Sequence, residues 1–595
     1  MSALLVILFA LKGFAVVMFA MNLGVILTWV DRRQGSMIQD RVGPNRAAIP
    51  VPGKILQGAL VAPALLAVAA ILYLLLGTEV EDEARTSRAL TFSQLAILAT
   101  WVTALVIAGR VRVRGAKNSF DVFLKSLGDP RRIFYGGLAL HVLVLAAFIA
   151  LGSTDLAPSL YKVGYGSGSA LLVFAILFGA GYAAFMLRNE DVVRVTIAGL
   201  LHPAADGLKT AFKEDFIPPN ADRFLHSLAP FISFFPVLVV LAVVPFGDTL
   251  CYHVDRSEEL SLLNPLQLWN QINLVDQVPR YGVCADDSVD LQVVDLNVGI
   301  LYFFALAGTG IVGAALAGWA SDNKFSLLGG LRAASQMVSY EVTLGLTVIG
   351  ALMIYGTVRV DEMVRWQAEH AWGIFVQPLA FFLFFAAAVA ESKRIPFDLP
   401  EGESEIVAGY YTEYSGMKFS MFFFAEYVAV VTSSVLMAAL FFGGWHLPFV
   451  HRDGIELAIG NTILFEQALS HGFVVLIGVL GFIFKVIALC FIQLTIRWTL
   501  PRFRYDQLMR LGWRKLLPAS LVNILVTGLV ALLIQSAGAA VQRGLNVAAD
   551  LSMLLIALGG VVLGIWFVLF LLKPVHKRRL VVSSSAKYAE KRGGT

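Results

Sequence analysis

Residues 391–416 read ESKRIPFDLPEGESEIVAGYYTEYSG, and the runs on either side, 373–391 and 418–442, are almost wholly apolar. Six carboxylates, Glu391, Asp398, Glu401, Glu403, Glu405 and Glu413, therefore stand between two stretches of membrane-spanning length. A helix needs about 20 apolar residues to cross ~30 Å of hydrocarbon at ~1.5 Å per residue. An ionised carboxylate at the bilayer centre costs upward of roughly 2.5 kcal/mol, so acids kept beside the membrane point to a segment that handles charge. On charge alone, an ordinary solvated loop stays open as the other reading. Pro396, Pro400 and Gly402 forbid one regular helix through the segment. Helical spacing becomes plausible from Glu401, with Glu401 and Glu405 on one face and Glu403 pointing elsewhere.

Outward from this segment the chain is apolar throughout. Of its 595 residues 58% are hydrophobic and 15% charged, and the mean hydropathy is +0.74, values that no ordinary soluble domain of this size shows. Thirteen candidate spans are found, near 2–30, 58–77, 90–109, 133–152, 168–187, 226–247, 295–319, 334–355, 373–391, 418–442, 463–498, 515–537 and 549–573. The fold class expected is an all-α polytopic integral membrane protein.

Lysine and arginine are held back on the cytoplasmic side during insertion, and the loops alternate accordingly. The 31–54 loop carries Arg32, Arg33, Arg41, Arg46 and Lys54; the 110–132 loop carries seven basic residues and the 497–515 loop six. These are expected to be cytoplasmic. The 78–89 loop and the 248–294 loop, the latter with eight acids against Arg256 and Arg280, are expected outside. Thirteen crossings then put the amino terminus outside and the carboxyl terminus, with Lys573, Lys577, Arg578 and Arg579, in the cytoplasm. This topology accounts for the net charge of +4, and no basic patch interleaved with aromatics suggests nucleic acid.

Leu201, Ala205, Leu208, Phe212 and Phe216 recur at helical spacing with Asp206, Lys209, Lys213 and Glu214 between them, the pattern of an amphipathic helix at the membrane face over 203–216, ended by Pro218 and Pro219. Glu341, Glu426 and Lys485 are isolated charges in apolar spans, each a functional-site candidate that faces the interior. The three cysteines are too few for a metal site. Cys251 and Cys284 share the long outside loop and can pair if that compartment is oxidising; Cys490 reads as a buried hydrophobe. The sequence carries no P-loop, dinucleotide-binding glycine fingerprint, Cys-x-x-Cys or His/Glu zinc spacing. A redox role would therefore draw its electrons from another subunit.

Eight motifs follow one another in order: QDRVGPNR at 39–46, ADGLK at 205–209 with KED at 213–215, DLNVGIL at 295–301, GW at 318–319 with KFSLLG at 324–329, RAASQ at 332–336 with SYE at 339–341, PFDLPE at 396–401, EYSGMK at 413–418 and PRFRYDQ at 501–507. In these the chain resembles the H-type membrane subunit of bacterial respiratory complex I, the NADH:quinone oxidoreductase, whose mitochondrial counterpart is NADH dehydrogenase subunit one. The resemblance implies an eight-helix core in the bacterial inner membrane that forms part of a quinone chamber, with a carboxylate-lined path leading from it. On that analogy Arg41, Arg46, Asp206, Lys209, Arg332 and Arg394 belong to the chamber, and Glu341, Glu391, Asp398, Glu401, Glu403, Glu405 and Glu413 carry the proton path. Quinone is the implied substrate, no cofactor is bound to this chain, and NADH, FMN and Fe–S clusters are implied on partner subunits of the hydrophilic arm, with small membrane subunits as neighbours. The family's acidic residue near the end of the first helix corresponds to Asp31.

The chain departs from the family between Arg46 and about Ile197, where some 150 residues replace a short link. The expected organisation is a first core helix and motif loop (1–48), a four-span insert (49–196), the rest of the core (197–540), and an extra span with a basic tail (541–595). An even number of inserted spans preserves the sidedness of the core motifs. Two other readings stay open: a homologous membrane subunit of a hydrogenase or of a formate- or ferredoxin-linked complex, and a stand-alone secondary transporter, for which the internal repeats expected of one are not evident. The quinone-chamber reading expects Arg41, Asp206, Arg332 and Asp398 to converge.

Overall fold

The computed structural model describes residues 2–39, 44, 47, 49–52, 192–195, 199, 201–254, 272–275, 284, 287–459 and 462–572. Arg41, Arg46, the four spans expected between 58 and 187 and the basic tail beyond 572 lie outside the described residues. The chain forms two compact units, one of residues 1–44 with 202–558 and the other of 45–201 with 559–595. In the second, β1 (Ile49–Pro52) pairs antiparallel with β2 (Val192–Val195), Ile49 opposite Val195. The two ends of the segment expected as an insert thus meet in one ribbon, the arrangement that lets a chain accept an insertion.

The first unit is a helical bundle. Its long elements are α1 (Ser2–Ile38), α3 (Arg223–Val239), α4 (Gly299–Ala320), α5 (Lys324–Tyr355), α8 (Gly416–Phe441), α9 (His471–Thr499) and the run Tyr505–Ser536. The last combines α10 (Tyr505–Leu511), a π turn and α11 (Leu517–Ser536). Seven described helices are long and apolar enough to cross a membrane; α6 (Val360–Glu369) is short and α7 (Pro378–Glu391) is a shorter apolar one. The helix α12 (Ala539–Leu572) covers the last expected span. Small residues let the helices approach backbone to backbone, as membrane interfaces require. A Cβ on Gly318 of α4 would sit 3.0 Å from the Cα of Gly330 on α5, and one on Gly313 would meet Ser233 and Ala229 of α3.

Several boundaries differ from expectation for identifiable reasons. The amphipathic helix α2 covers only Leu201–Ala211, because the backbone of Glu214 and Phe216 bonds instead to Ser415 and Asp215 pairs with Lys418 at 2.9 Å. Its apolar face is open, with Leu208 62% and Phe212 86% exposed, as suits a helix lying on lipid. The 463–498 span begins only at His471: β6 (Val450–His451), β7 (Gly454–Ile459) and β8 (Thr462–Ala468) form an antiparallel sheet before it. Residues 373–391 break into a turn at Gly373–Val376 and α7, which takes Pro378 at its first position. A third small sheet joins β3 (Leu250–Val254), β4 (Ile272–Leu274) and β5 (Asp287–Val289). The bundle is thus dominantly helical with sheet confined to connections.

At the end of the bundle remote from the acid-rich segment, Cys251 and Cys284 are disulfide-bonded across 33 residues. Arg452 chelates Asp248 through Nε at 2.5 Å and Nη2 at 2.6 Å, tying this loop to the β6–β8 sheet. Closing a loop of this length removes about 3–4 kcal/mol of unfolded-chain entropy. Replacing both cysteines with serine is accordingly expected to lower the thermal midpoint of the detergent-solubilised protein, and reductant should do the same to the wild type. An unchanged midpoint in both would show that the bridge does not stabilise the fold.

Candidate functional site

The segment after α7 is irregular, and its shape is held from outside. From α5, the Gln336 side-chain amide donates to the carbonyls of Ala390 and Phe397, both at 2.8 Å. Phe503 stacks on Phe397 at 5.4 Å, and its backbone N–H donates to the Pro396 carbonyl. Arg502 pairs with buried Asp398 at 2.5 Å. The PFDLPE and PRFRYDQ motifs, a hundred residues apart, thereby lock together. Helix within the segment is limited to one α turn, Glu403–Ile406, and a 3-10 turn, Gly409–Tyr411; between them Val407 adopts a φ of 66°, and Gly409 one of 57°. Glu401 and Glu405 therefore do not share a helical face as the spacing suggested: Glu401 precedes the turn half-buried, while Glu405 is exposed and pairs with Arg332 at 2.7 Å.

Gly409 and Gly329 decide where the following residues lie. A Cβ on Gly329 of α5 would come within 2.6 Å of the backbone of Gly409 and Tyr410. Backbone cannot give way as a flexible side chain does, so Gly329→Ala is expected to displace this loop. The cost should be about 1–3 kcal/mol, read as a lower melting temperature. A variant that melts as wild type would contradict this packing.

Behind the loop lies a buried network of charges and phenols. Arg394, 6% exposed, forms an ion pair with Glu426 of α8, 4% exposed, at 3.2 Å. Its guanidinium also lies over the Tyr427 ring at 4.1 Å and the Phe423 ring at 5.1 Å, a cation–π arrangement suited to a dry site. Burial opposes its charge, but Glu426, Tyr427 and Tyr411 beside it prevail and hold the guanidinium above its ordinary pKa. On one side, Tyr427 donates to Asp31 of α1 at 2.9 Å, and Asp31 also accepts from Trp498 at 2.9 Å and pairs with Arg497. On the other side Glu426 accepts from Tyr411, Tyr410 donates to Tyr411 at 2.7 Å, and Lys393 donates to Tyr410 at 2.9 Å.

Glu391, Lys393 and Glu426 line one cavity of about 70 Å³, with Ser233, Ser392 and Thr432. At the size a buried water requires, it admits several. Burial, then the charge of Glu426, push Glu401 up to about 7 despite Arg394, so this carboxyl changes charge near neutral pH. Glu341 lies against Gly308 of α4, where a Cβ would meet its Oε1 at 2.7 Å. Glu413 accepts from Asn323 at 2.6 Å.

The residues named from the sequence are thus distributed unevenly. Arg394, Glu391, Asp398 and Glu401 sit in or beside the buried network. Arg332 pairs with exposed Glu405 of the acid-rich segment, and its guanidinium lies 5.5 Å from the Tyr505 ring. Asp206 pairs with Arg32 at 2.5 Å on an exposed surface, and Lys209 is exposed on α2; neither makes a described contact to Arg332 or Asp398. Glu403 opens the helical turn, and Arg41 and Arg46 lie outside the described residues. Lys393, Tyr410, Tyr411, Arg497 and Arg502 are not among the site residues named from the sequence, and Glu426 is named there as a candidate without a place in the chamber or the path. Glu426 alone carries a signal there, as an acid in an apolar run. Among the described residues no cluster of histidine, cysteine and carboxylates is placed to hold a metal.

A family model described as NADH dehydrogenase matches residues 167–528, more than half of the chain. Three relatives named as H-type subunits of NADH-quinone oxidoreductase are similar over most of their length. That of Geobacter sulfurreducens is 45% identical over 381 residues, covering 63% of this chain and 96% of that protein. That of Cytophaga hutchinsonii is 40% identical, covering 56% and 84%. That of Flavobacterium johnsoniae is 39% identical, covering 59% and 87%.

Proposed function

The chain belongs to the NADH dehydrogenase family of membrane proteins, and from that premise we propose that it is the subunit of a proton-pumping NADH:quinone oxidoreductase that helps form the quinone chamber and carries protons away from it. The observation that carries this reading is the continuous buried network from Asp31 through Tyr427, Arg394 and Glu426 to Lys393 and the cavity of Glu391. Reducing a quinone consumes protons and creates transient negative charge, which acts strongly across a low-dielectric interior. Carboxylates packed together cannot all ionise, so they titrate as a coupled set whose occupancy shifts when a nearby charge changes. Electron transfer at the rim is thereby converted into proton movement within the bundle.

In this reading Arg41, Arg46, Arg332 and Arg394 stabilise charge on the quinone side, with Asp206 and Lys209 on the amphipathic lip where the quinone tail enters. Glu341, Glu391, Asp398, Glu401, Glu403, Glu405 and Glu413 form the path together with Glu426. The electrons come from NADH through FMN and Fe–S clusters on hydrophilic-arm partners. The arginine-rich loops face the cytoplasm and the amino terminus the outside. The disulfide supports that orientation, since bridges persist on the oxidising side of a bacterial membrane. Residues 49–196 act as an appended unit, and 541–595 as an extra span and tail.

The test is complementation of a strain lacking this chain, with NADH:quinone reductase activity measured in its membranes. Wild type should restore activity; Arg41→Ala and Arg332→Ala, each checked for assembly, should lower it by about 10-fold or more if they stabilise the developing charge. Full activity in both would remove the chamber assignment, and co-purification with a nickel–iron hydrogenase in place of NADH-oxidising subunits would overturn the complex.

A further inference from the structure

Lys393 is an odd residue to find beside a carboxylate path. It stands two residues beyond the end of α7 in a left-handed conformation, φ 53°, which a non-glycine residue keeps only where its surroundings demand it. That turn aims the side chain at Tyr410: the ammonium donates to the phenol at 2.9 Å and lies 5.2 Å from the ring centre. Among the described residues Lys393 makes no ion pair, since the carboxylate of Glu426 is claimed at Oε2 by Arg394. Its route to Glu426 runs instead through phenols, Tyr410 itself reaching Oε1 of Glu426 only at 3.4 Å. Tyr410 donates to Tyr411 at 2.7 Å, and Tyr411 donates to Oε1 of Glu426. All three donors point the same way. At its other end Lys393 borders the cavity that also exposes Glu391.

We propose that Lys393 is a proton-exchanging member of the path, and that Lys393, Tyr410, Tyr411 and Glu426 form a wire carrying one proton between the Glu391 cavity and Glu426. The proposal rests on the proton-path reading above. In the forward step one N–H bond of the ammonium breaks and an O–H bond forms on Tyr410. Tyr410 passes its own proton to Tyr411, and Tyr411 passes its own to the Glu426 carboxylate. Both phenols end neutral, the lysine is left as an amine and Glu426 as a carboxylic acid; no electrons move. The amine is reprotonated from Glu391 through the cavity. Arg394 sets the poise, because its contact with Oε2 of Glu426 is surrendered when Glu426 takes the proton. Any charge that draws Arg394 towards Tyr427 and Asp31 therefore promotes the transfer.

The phenols suit this role. Burial, and then Glu426, hold both tyrosines far above their ordinary pKa, so neither is lost to phenolate and each remains donor and acceptor at once. Burial likewise pulls Lys393 down, against the opposing pull of Glu426, which brings a neutral amine within reach. An arginine cannot do this, because a guanidinium stays protonated in proteins.

The experiment uses inverted membrane vesicles containing the intact complex, with NADH-driven acidification measured for Lys393→Arg, Lys393→Met, Tyr410→Phe and Glu426→Gln, each checked for assembly. A wire predicts that Lys393→Arg and Tyr410→Phe each slow acidification by about 10-fold or more, the scale of losing a positioned proton-transfer group. If Lys393→Arg pumps as wild type while Lys393→Met does not, the lysine is a fixed cation and the wire is refuted. Normal pumping by Tyr410→Phe refutes it as well, and this variant, which loses a single oxygen, decides the matter should Lys393→Arg fail to assemble. Glu426→Gln separates the two levels: unimpaired pumping there removes the underlying path, whereas impaired pumping with normal Lys393→Arg and Tyr410→Phe removes only the wire.

Discussion

Replacing Arg394 with methionine is expected to destabilise the protein by about 3–5 kcal/mol, the cost of leaving one member of a buried ion pair without its partner. The pair qualifies because both side chains are enclosed and because the guanidinium also serves the Tyr427 and Phe423 rings. Removing it leaves Glu426 facing Tyr411 and Tyr410 with no cation in contact. The double variant Arg394→Met with Glu426→Leu should recover much of the lost stability, since an apolar pair of similar volume replaces two charges that were costly to bury, yet it should not recover pumping. Melting of the purified protein gives the first quantity, and vesicle acidification the second. Equal stability of the single and double variants would mean that the two charges are not coupled.

Lys485→Met is expected to cost about 3 kcal/mol for a different reason. Read from the sequence, Lys485 is a candidate for chemistry because a cation in an apolar run needs an explanation. The structure supplies one. Its ammonium donates to the carbonyls of Phe442, Gly444 and His446 at 2.8, 2.8 and 2.6 Å, and sits 4.2 Å from the Trp372 ring. These carbonyls lie at and just beyond the C-terminal end of α8, where a helix leaves acceptors unsatisfied and its dipole favours a cation. Three charge-assisted bonds are lost together, each worth about 1.5–3 kcal/mol when made, with part of the loss recovered by water and relaxation. A lower melting temperature with pumping per electron unchanged is the expected pair of results. Loss of pumping in a variant of normal stability would give Lys485 a functional role instead.

These two residues show what a linear reading can reach. The spans are legible because partition into lipid depends on local composition, and the long helices fall where apolar runs stand. The failures occur where tertiary contacts override local pattern. Residues 462–468, TILFEQA, are apolar enough to be absorbed into the next span, but their alternation belongs to β8, paired with β7. The acid-rich segment is recognisable as broken by its prolines, but its loop geometry depends on Gly329 of α5 and on Arg502 and Phe503 of a motif a hundred residues away. Tyr410 and Tyr411 carry no signal of their own in a chain with many aromatics. Their meaning comes from lying between Lys393 and Glu426, a fact of packing. Glu426 is visible as an anomaly, and Arg394 stands out separately; only the folded chain joins them.

The central claim is that the carboxylates around Glu426 couple quinone chemistry to proton movement. Its most direct test is the number of protons translocated per NADH oxidised in vesicles carrying Glu341→Gln or Glu426→Gln in a fully assembled complex. On this claim both variants translocate only a small fraction of the wild-type number of protons per NADH oxidised. Wild-type acidification per NADH in both, at wild-type assembly, would contradict it.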